Sequence, residues 1–187
     1  MTIKRCDWSG MDKPVYQQYH DSEWGKLNLD EHYLFEMLVL ESFQAGLSWL
    51  TILKKRENFR QAFANFDVQK VASFGDQQRQ ALLNDKGIIR NKLKINAAIN
   101  NAKAIVKLHR RGQTLKPILT DIVPKVIVHH PVTMADVPTQ SKESQRLSRR
   151  LKKLGFKFVG PVTMYSYLEA VGLINDHADD CPFKYTK

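Results

Sequence analysis

Residues 40–63 read LESFQAGLSWLTILKKRENFRQAF. The opening residues close an apolar run whose Leu34, Phe35 and Leu38 share one helical face, behind Asp30, a residue type that caps helices. Gln44-Ala45-Gly46 stops that helix. Ser48 caps the next one, in which Ile52, Leu53, Phe59 and Phe63 recur at helical spacing. Outward from this pair the pattern stays helical. Asp67 opens a short helix. Residues 75–84 and 91–111 predict two helices joined by the tight turn NDKGII, with Gly112 ending the second. Ser141 starts a basic helix that stops at Gly155, and Pro161 suits the first turn of PVTMYSYLEAVGL. Only VIVHHPV, residues 126–132, reads as a strand, and 129–140 is the longest irregular stretch. With no repeat and no low-complexity linker, the chain predicts a mainly α, single compact domain spanning residues 1–187.

A chain of 187 residues supports one sizeable core and does not demand two. No apolar run approaches the roughly 18 residues of a membrane-spanning helix, so no membrane role is expected. MTIKRCDWSG has no apolar secretory segment, and with two cysteines in the chain a cytoplasmic location is expected. The 29 Lys and Arg against 19 Asp and Glu give a net charge of +10. Eight of the basic residues fall between Lys86 and Arg111 with no acid among them, and seven between Lys142 and Lys157 against Glu143 alone. Such clusters attract a phosphate backbone; the plainer reading is a solvated helix face.

Cys6, His20, His177 and Cys181 form a Cys2His2 set split between the two ends of the chain. Zinc takes four such ligands in a tetrahedron, and a closed site of this kind is structural. It would tie both termini to one point, a closure worth on the order of 4–5 kcal/mol by analogy with disulfides. A Cys6–Cys181 disulfide and four unrelated residues are the competing readings. A second constellation gathers Tyr16, Tyr19 and Trp24 in VYQQYHDSEWG at 15–25, and Glu41 and Trp49 in LESFQAGLSW at 40–49. A carboxylate inside LVLES faces either water at the helix edge or a job in the interior, since an unpaired buried charge costs several kcal/mol.

Together these stretches resemble the DNA-3-methyladenine glycosylase I family. The resemblance covers nearly the whole chain: R-C-x-W at 5–8, Y-H-D-x-E-W-G at 19–25, L-F-E-M at 34–37, L-E at 40–41, Q-A-G-L-S-W at 44–49, L-K-K-R-E-N at 53–58, G-I-I-R at 87–90, L-K-K-x-G-F-K-F-V-G at 151–160 and G-L-x-N-D-H at 172–177. It implies a helix-hairpin-helix glycosylase fold and a DNA repair enzyme that flips 3-methyladenine out of double-stranded alkylated DNA and excises it hydrolytically, without strand cleavage. It implies a monomer with a structural zinc on Cys6, His20, His177 and Cys181. Glu41 becomes the catalytic carboxylate. Tyr19 reads the base with it, Trp49 stacks on the base, and Tyr16, Trp8 and Trp24 wall the pocket. Leu47 becomes the plug that fills the gap left by the flipped base. NDKGII becomes the hairpin, with amides around Gly87 facing a phosphate and Lys86, Arg90 and Lys92 contacting the backbone. The family lacks the water-activating aspartate of other superfamily members, which matches the acid-free run from Lys86 to Arg111.

The chain departs from the family pattern at Ser42, Phe43 and Pro124, changes that bear on pocket shape and hydrogen bonding. They leave open a second reading, a non-catalytic, zinc-stapled member that binds DNA or a modified base.

Overall fold

The computed structural model describes residues 3–184. Nine α-helices lie among the described residues: α1 (Pro14–Ser22), α2 (Glu31–Gln44), α3 (Trp49–Ala62), α4 (Val68–Ala72), α5 (Asp76–Asn84), α6 (Lys92–His109), α7 (Leu115–Thr120), α8 (Lys142–Lys153) and α9 (Pro161–Ala170). None of them is long and apolar enough to cross a membrane.

Helix α2 is the hub. Asp30 caps it by accepting from the Tyr33 amide at 3.0 Å. Every residue from Leu34 to Phe43 is buried, because α3, α6, α7 and α9 pack around it. A helix surrounded on all sides is apolar on all sides, and Glu41 lies in that surround. Ser48 caps α3 through the Thr51 amide, and Asp67 caps α4 through the Lys70 amide. Asn91 caps α6 through the Leu93 and Lys94 amides. Phe43, Phe59, Phe63 and Phe66 stack edge and face in the core.

The predicted strand is shorter than VIVHHPV. Only Ile127–Val128 (β1) is extended in a ladder, in parallel with Ile174–Asn175 (β2), which sequence periodicity did not reveal. Two residues are too few to show alternation. The pairing ties the irregular segment after β1 to the C-terminal end of the chain through His129 N–H to Asn175 O at 3.0 Å.

Between α9 and β2 the chain passes Gly172 at φ +74°, and a Cβ built there would lie 2.1 Å from the carbonyl carbon of Lys26. Backbone bonds hold the two segments together: Gly25 N–H to Glu169 O at 3.0 Å and Asn28 N–H to Val171 O at 3.1 Å. Gly172→Ala is expected to cost about 3 kcal/mol, because both the left-handed conformation and the contact with backbone oppose a side chain. Urea unfolding measures it; a loss below about 1 kcal/mol would refute the close approach.

Candidate active site and metal centre

A cleft of about 290 Å³ opens where α1, α2 and α9 meet the loop before α8. Its aromatic wall is continuous. Trp8 lies 4.9 Å from Tyr16 and 4.5 Å from Trp24, and Tyr19 lies 5.3 Å from Trp49, ring centre to ring centre. The irregular segment supplies Met134, Val137 and Pro138 as the facing wall. Glu41 projects from α2 into this cleft at 4% exposure. Its Oε2 and the Trp49 Nε1 are buried without a hydrogen-bond partner among the described residues. Burial pushes the Glu41 carboxyl up to about 8. Burial, and then Glu41, push the Tyr16 hydroxyl up to about 12 and the Tyr19 hydroxyl well above its ordinary value, so both stay protonated donors. An unpaired acid, an unpaired donor and a ring of aromatic faces suit a flat, polar-edged, electron-poor ligand. Among the described residues no Lys, Arg or His lines the cleft.

A larger hollow of about 600 Å³ lies between α5 and α6. It lacks aromatic residues and its polar groups are those of a helix surface, so the smaller cleft is the candidate site.

Behind the aromatic wall, Cys6, His20 and Cys181 converge, with their ligand atoms within 4.8 Å of one another and all three buried. His20 Nδ1 meets Asp21 Oδ1 at 2.8 Å, and Arg5 grips both oxygens of that carboxylate. The pairing turns Nε2 toward Cys181 Sγ, 3.7 Å away. A carboxylate behind a histidine is the usual support for a ligating imidazole. The cysteines are not bonded to each other. The fourth member of the predicted set is placed differently: His177 stands outside the group, its ring 4.7 Å from that of His20. Its Nδ1 donates to Asn175 Oδ1 at 2.9 Å, and that amide is fixed because its Nδ2 donates to Lys184 O. Nε2 therefore carries a lone pair, yet it faces the His20 carbonyl oxygen at 3.3 Å. Two acceptors in contact suit a cation nearby. Burial pushes His177 down to about 3, which keeps the ring in the neutral form that ligates metals.

The family model for methyladenine glycosylase matches residues 8–185. The chain belongs to the methyladenine glycosylase family. DNA-3-methyladenine glycosylase 1 of Escherichia coli (strain K12) is 44% identical over 184 residues, with 96% of each protein covered. A crystal structure of 3-methyladenine DNA glycosylase I superposes with a TM-score of 0.93 at 41% identity, covering 96% of this chain and 98% of the other. A tyrosine-to-phenylalanine variant of 3-methyladenine DNA glycosylase I in complex with 3-methyladenine gives a TM-score of 0.90 at 39% identity, covering 95% and 96%. The chain is thus an N-glycosyl-bond-cleaving enzyme of mainly helical fold.

In this glycosylase the predicted DNA-facing residues occupy the α2–α3 turn, the α5–α6 hairpin and the start of α6. Leu47 is 40% exposed at the tip of the α2–α3 turn, so it is not core. Lys94, part of the predicted basic run, is not on the surface. Its Nζ donates to Phe43 O and Ala45 O at 2.8 and 2.6 Å and seals the end of α2 beneath that turn. At the hairpin, Lys86, Arg90 and Lys92 are exposed. The Gly87 amide does not face outward, because it donates to Asp85 Oδ1 at 2.6 Å. Lys55 and Asn58 of α3 take the Gly87 carbonyl, so one helix braces both loops.

The departures from the family pattern fall outside the cleft lining. Ser42 donates to Leu38 O at 2.7 Å, Phe43 belongs to the core stack, and Pro124 is exposed. Besides the facing wall of Met134, Val137 and Pro138, the sequence reading missed an acidic cleft residue, Glu169, buried in the last turn of α9. Its signal was the one that singled out Glu41, an acid inside an apolar helix.

Proposed function

We propose that this chain excises 3-methyladenine from double-stranded alkylated DNA by flipping the base into the cleft and hydrolysing its glycosidic bond, leaving the strand uncut. The observation that carries this reading is the buried, unpartnered Glu41 in an aromatic cleft that lacks any cationic lining residue among those described. Methylation at N3 makes adenine cationic and a good leaving group. Its charge is matched by a carboxylate and by the faces of Trp49, Tyr16, Trp8 and Trp24. Glu41 and the Tyr19 hydroxyl hold the base edge, and Glu41 as a carboxylate stabilises the positive charge that develops on the sugar. The substrate is labile, so positioning and charge complete the catalysis.

Residues 1–187 act as one monomeric, cytoplasmic repair domain. Cys6, His20 and Cys181 would hold a structural zinc, with His177 Nε2 as the fourth donor. The metal supplies closure of the termini and takes no part in the reaction. Lys86, Arg90 and Lys92 meet DNA phosphates, and near the hairpin the Gly87 amide reaches a phosphate only by giving up Asp85.

Chromatographic resolution of bases released from methylated DNA tests the proposal. The expected product is 3-methyladenine without 7-methylguanine; no release above the uncatalysed background from zinc-loaded protein would overturn it. Leu47 fills the vacated stack, so Leu47→Ala is expected to slow excision from duplex about tenfold while leaving affinity for the free base unchanged. Equal losses in both assays would place Leu47 in the pocket instead.

A further inference from the structure

We propose that Glu169 is a second acidic reader of the base, a specificity-determining residue that makes the cleft prefer cationic over neutral purines. This rests on the reading of the cleft as the base pocket. Glu169 comes from α9 and Glu41 from α2, and both line the one cleft. The two helices are locked together by the Tyr167 hydroxyl donating to Leu34 O at 3.1 Å. Glu169 itself is held at both sides of its backbone, where its carbonyl accepts from the Gly25 and Gly172 amides at 3.0 Å each. Its position is therefore fixed by the same close approach that requires Gly172.

Three features make an acid at this place costly. It is 8% exposed, in the last turn of a helix whose negative dipole end it shares, and beside two further acids, Glu41 and Asp176. Burial and those neighbours hold its carboxyl well above the usual range. Asp176 is anchored by the Tyr165 hydroxyl at 2.7 Å and His129 Nδ1 at 2.6 Å and shares a hydrogen bond with the Glu169 carboxyl from behind, and of the two only Glu169 lines the cleft. A glutamine would fill the same space without the like-charge cost. The acid gains from its position when a cation enters, because attraction then replaces repulsion. Two carboxyl groups and no lining cation distinguish a charged purine from a neutral one more strongly than Glu41 does alone.

The test compares Glu169→Gln with wild type for binding two probes, the permanent cation 3,9-dimethyladeninium and neutral 9-methyladenine. The variant is expected to lose about tenfold in affinity for the cation and less than about twofold for the neutral base, with Glu169→Asp recovering part of the cation preference. Equal losses for both probes, no loss, or a wild type without preference would overturn the assignment. Should Glu169→Gln fail to fold, carboxyl-13C spectra of glutamate-labelled wild type decide. The Glu169 resonance is expected to move with the cation and not with the neutral base; movement of Glu41 alone refutes the proposal. Base release from methylated DNA by the same wild-type preparation separates the two readings. Excision with an unaltered Glu169→Gln preference sinks this inference only, and cation selectivity without excision sinks the proposed reaction only.

Discussion

Glu41→Gln is expected to lower kcat/KM for base release by about a hundredfold while raising thermal stability at neutral pH. Both effects come from one carboxyl. Its oxygen is buried without a partner, and its folded-state ionisation is pushed up from the ordinary 4.5 to about 8. The sign of the stability effect follows. The native state holds this proton more tightly than the unfolded chain, so stability falls as pH rises from 4.5 toward 8, and the full cost is present above that. At pH 7 the shift sets a ceiling of about 3 kcal/mol, and water entry reduces the expected gain to about 2 kcal/mol. The variant should gain nothing at pH 4. Activity runs the opposite way. The carboxylate is the form that stabilises a cation, so kcat/KM of the wild type should climb with pH through about 8, and that limb should vanish in Glu41→Gln. A variant as active as wild type, or one that is less stable at pH 7 than at pH 4 relative to wild type, would show that Glu41 is a structural acid.

The stability cost of Glu41 also shows where sequence reading stops. Helix boundaries were legible because caps and punctuation are local: Asp30, Ser48, Asp67, Ser141 and Pro161 each begin the helix expected of them. The burial of Glu41 was not legible from periodicity, because an acid in an apolar run can sit at a helix edge, and only the packing of four helices around α2 removes that edge. Lys94 illustrates the converse. Within a basic run it reads as a surface charge, yet its ammonium seals the end of α2 across the domain, a contact of high sequence separation. The same reason hid the β1–β2 pair and the approach of Gly172 to Lys26. Of the site residues, the motifs located the aromatic wall and the terminal cluster. Glu169 was passed over, although it presents the same local signal as Glu41, because no motif directed attention to it.

Loss of the terminal metal is expected to have the largest effect on stability. Cys181→Ser should bind less than one zinc per chain, where wild type binds one, and should melt more than about 10 °C lower. The cost comes from opening a loop that spans almost the whole chain, on the order of 4–5 kcal/mol. The cluster also lies directly against the aromatic cleft. The His20 ring is 5.1 Å from Trp8 and 5.9 Å from Trp24, and Trp24 is 4.4 Å from His177. Trp8 and Trp24 are thus held between the candidate metal ligands and the cleft, and loosening that cluster is expected to free the wall. Tryptophan fluorescence should therefore change in Cys181→Ser below its melting range, and free-base affinity should fall with it. His177→Ala discriminates the fourth ligand: if Nε2 completes the site, zinc affinity drops although Cys6, His20 and Cys181 remain grouped. Metal analysis of wild type that finds no zinc, or a Cys181→Ser variant with an unchanged melting temperature, would reduce the cluster to a buried thiol–imidazole contact. The ends of the chain would then be joined by weaker contacts such as the exposed Lys4–Asp180 ion pair and the Ala178 amide against Cys6 Sγ, which contribute far less.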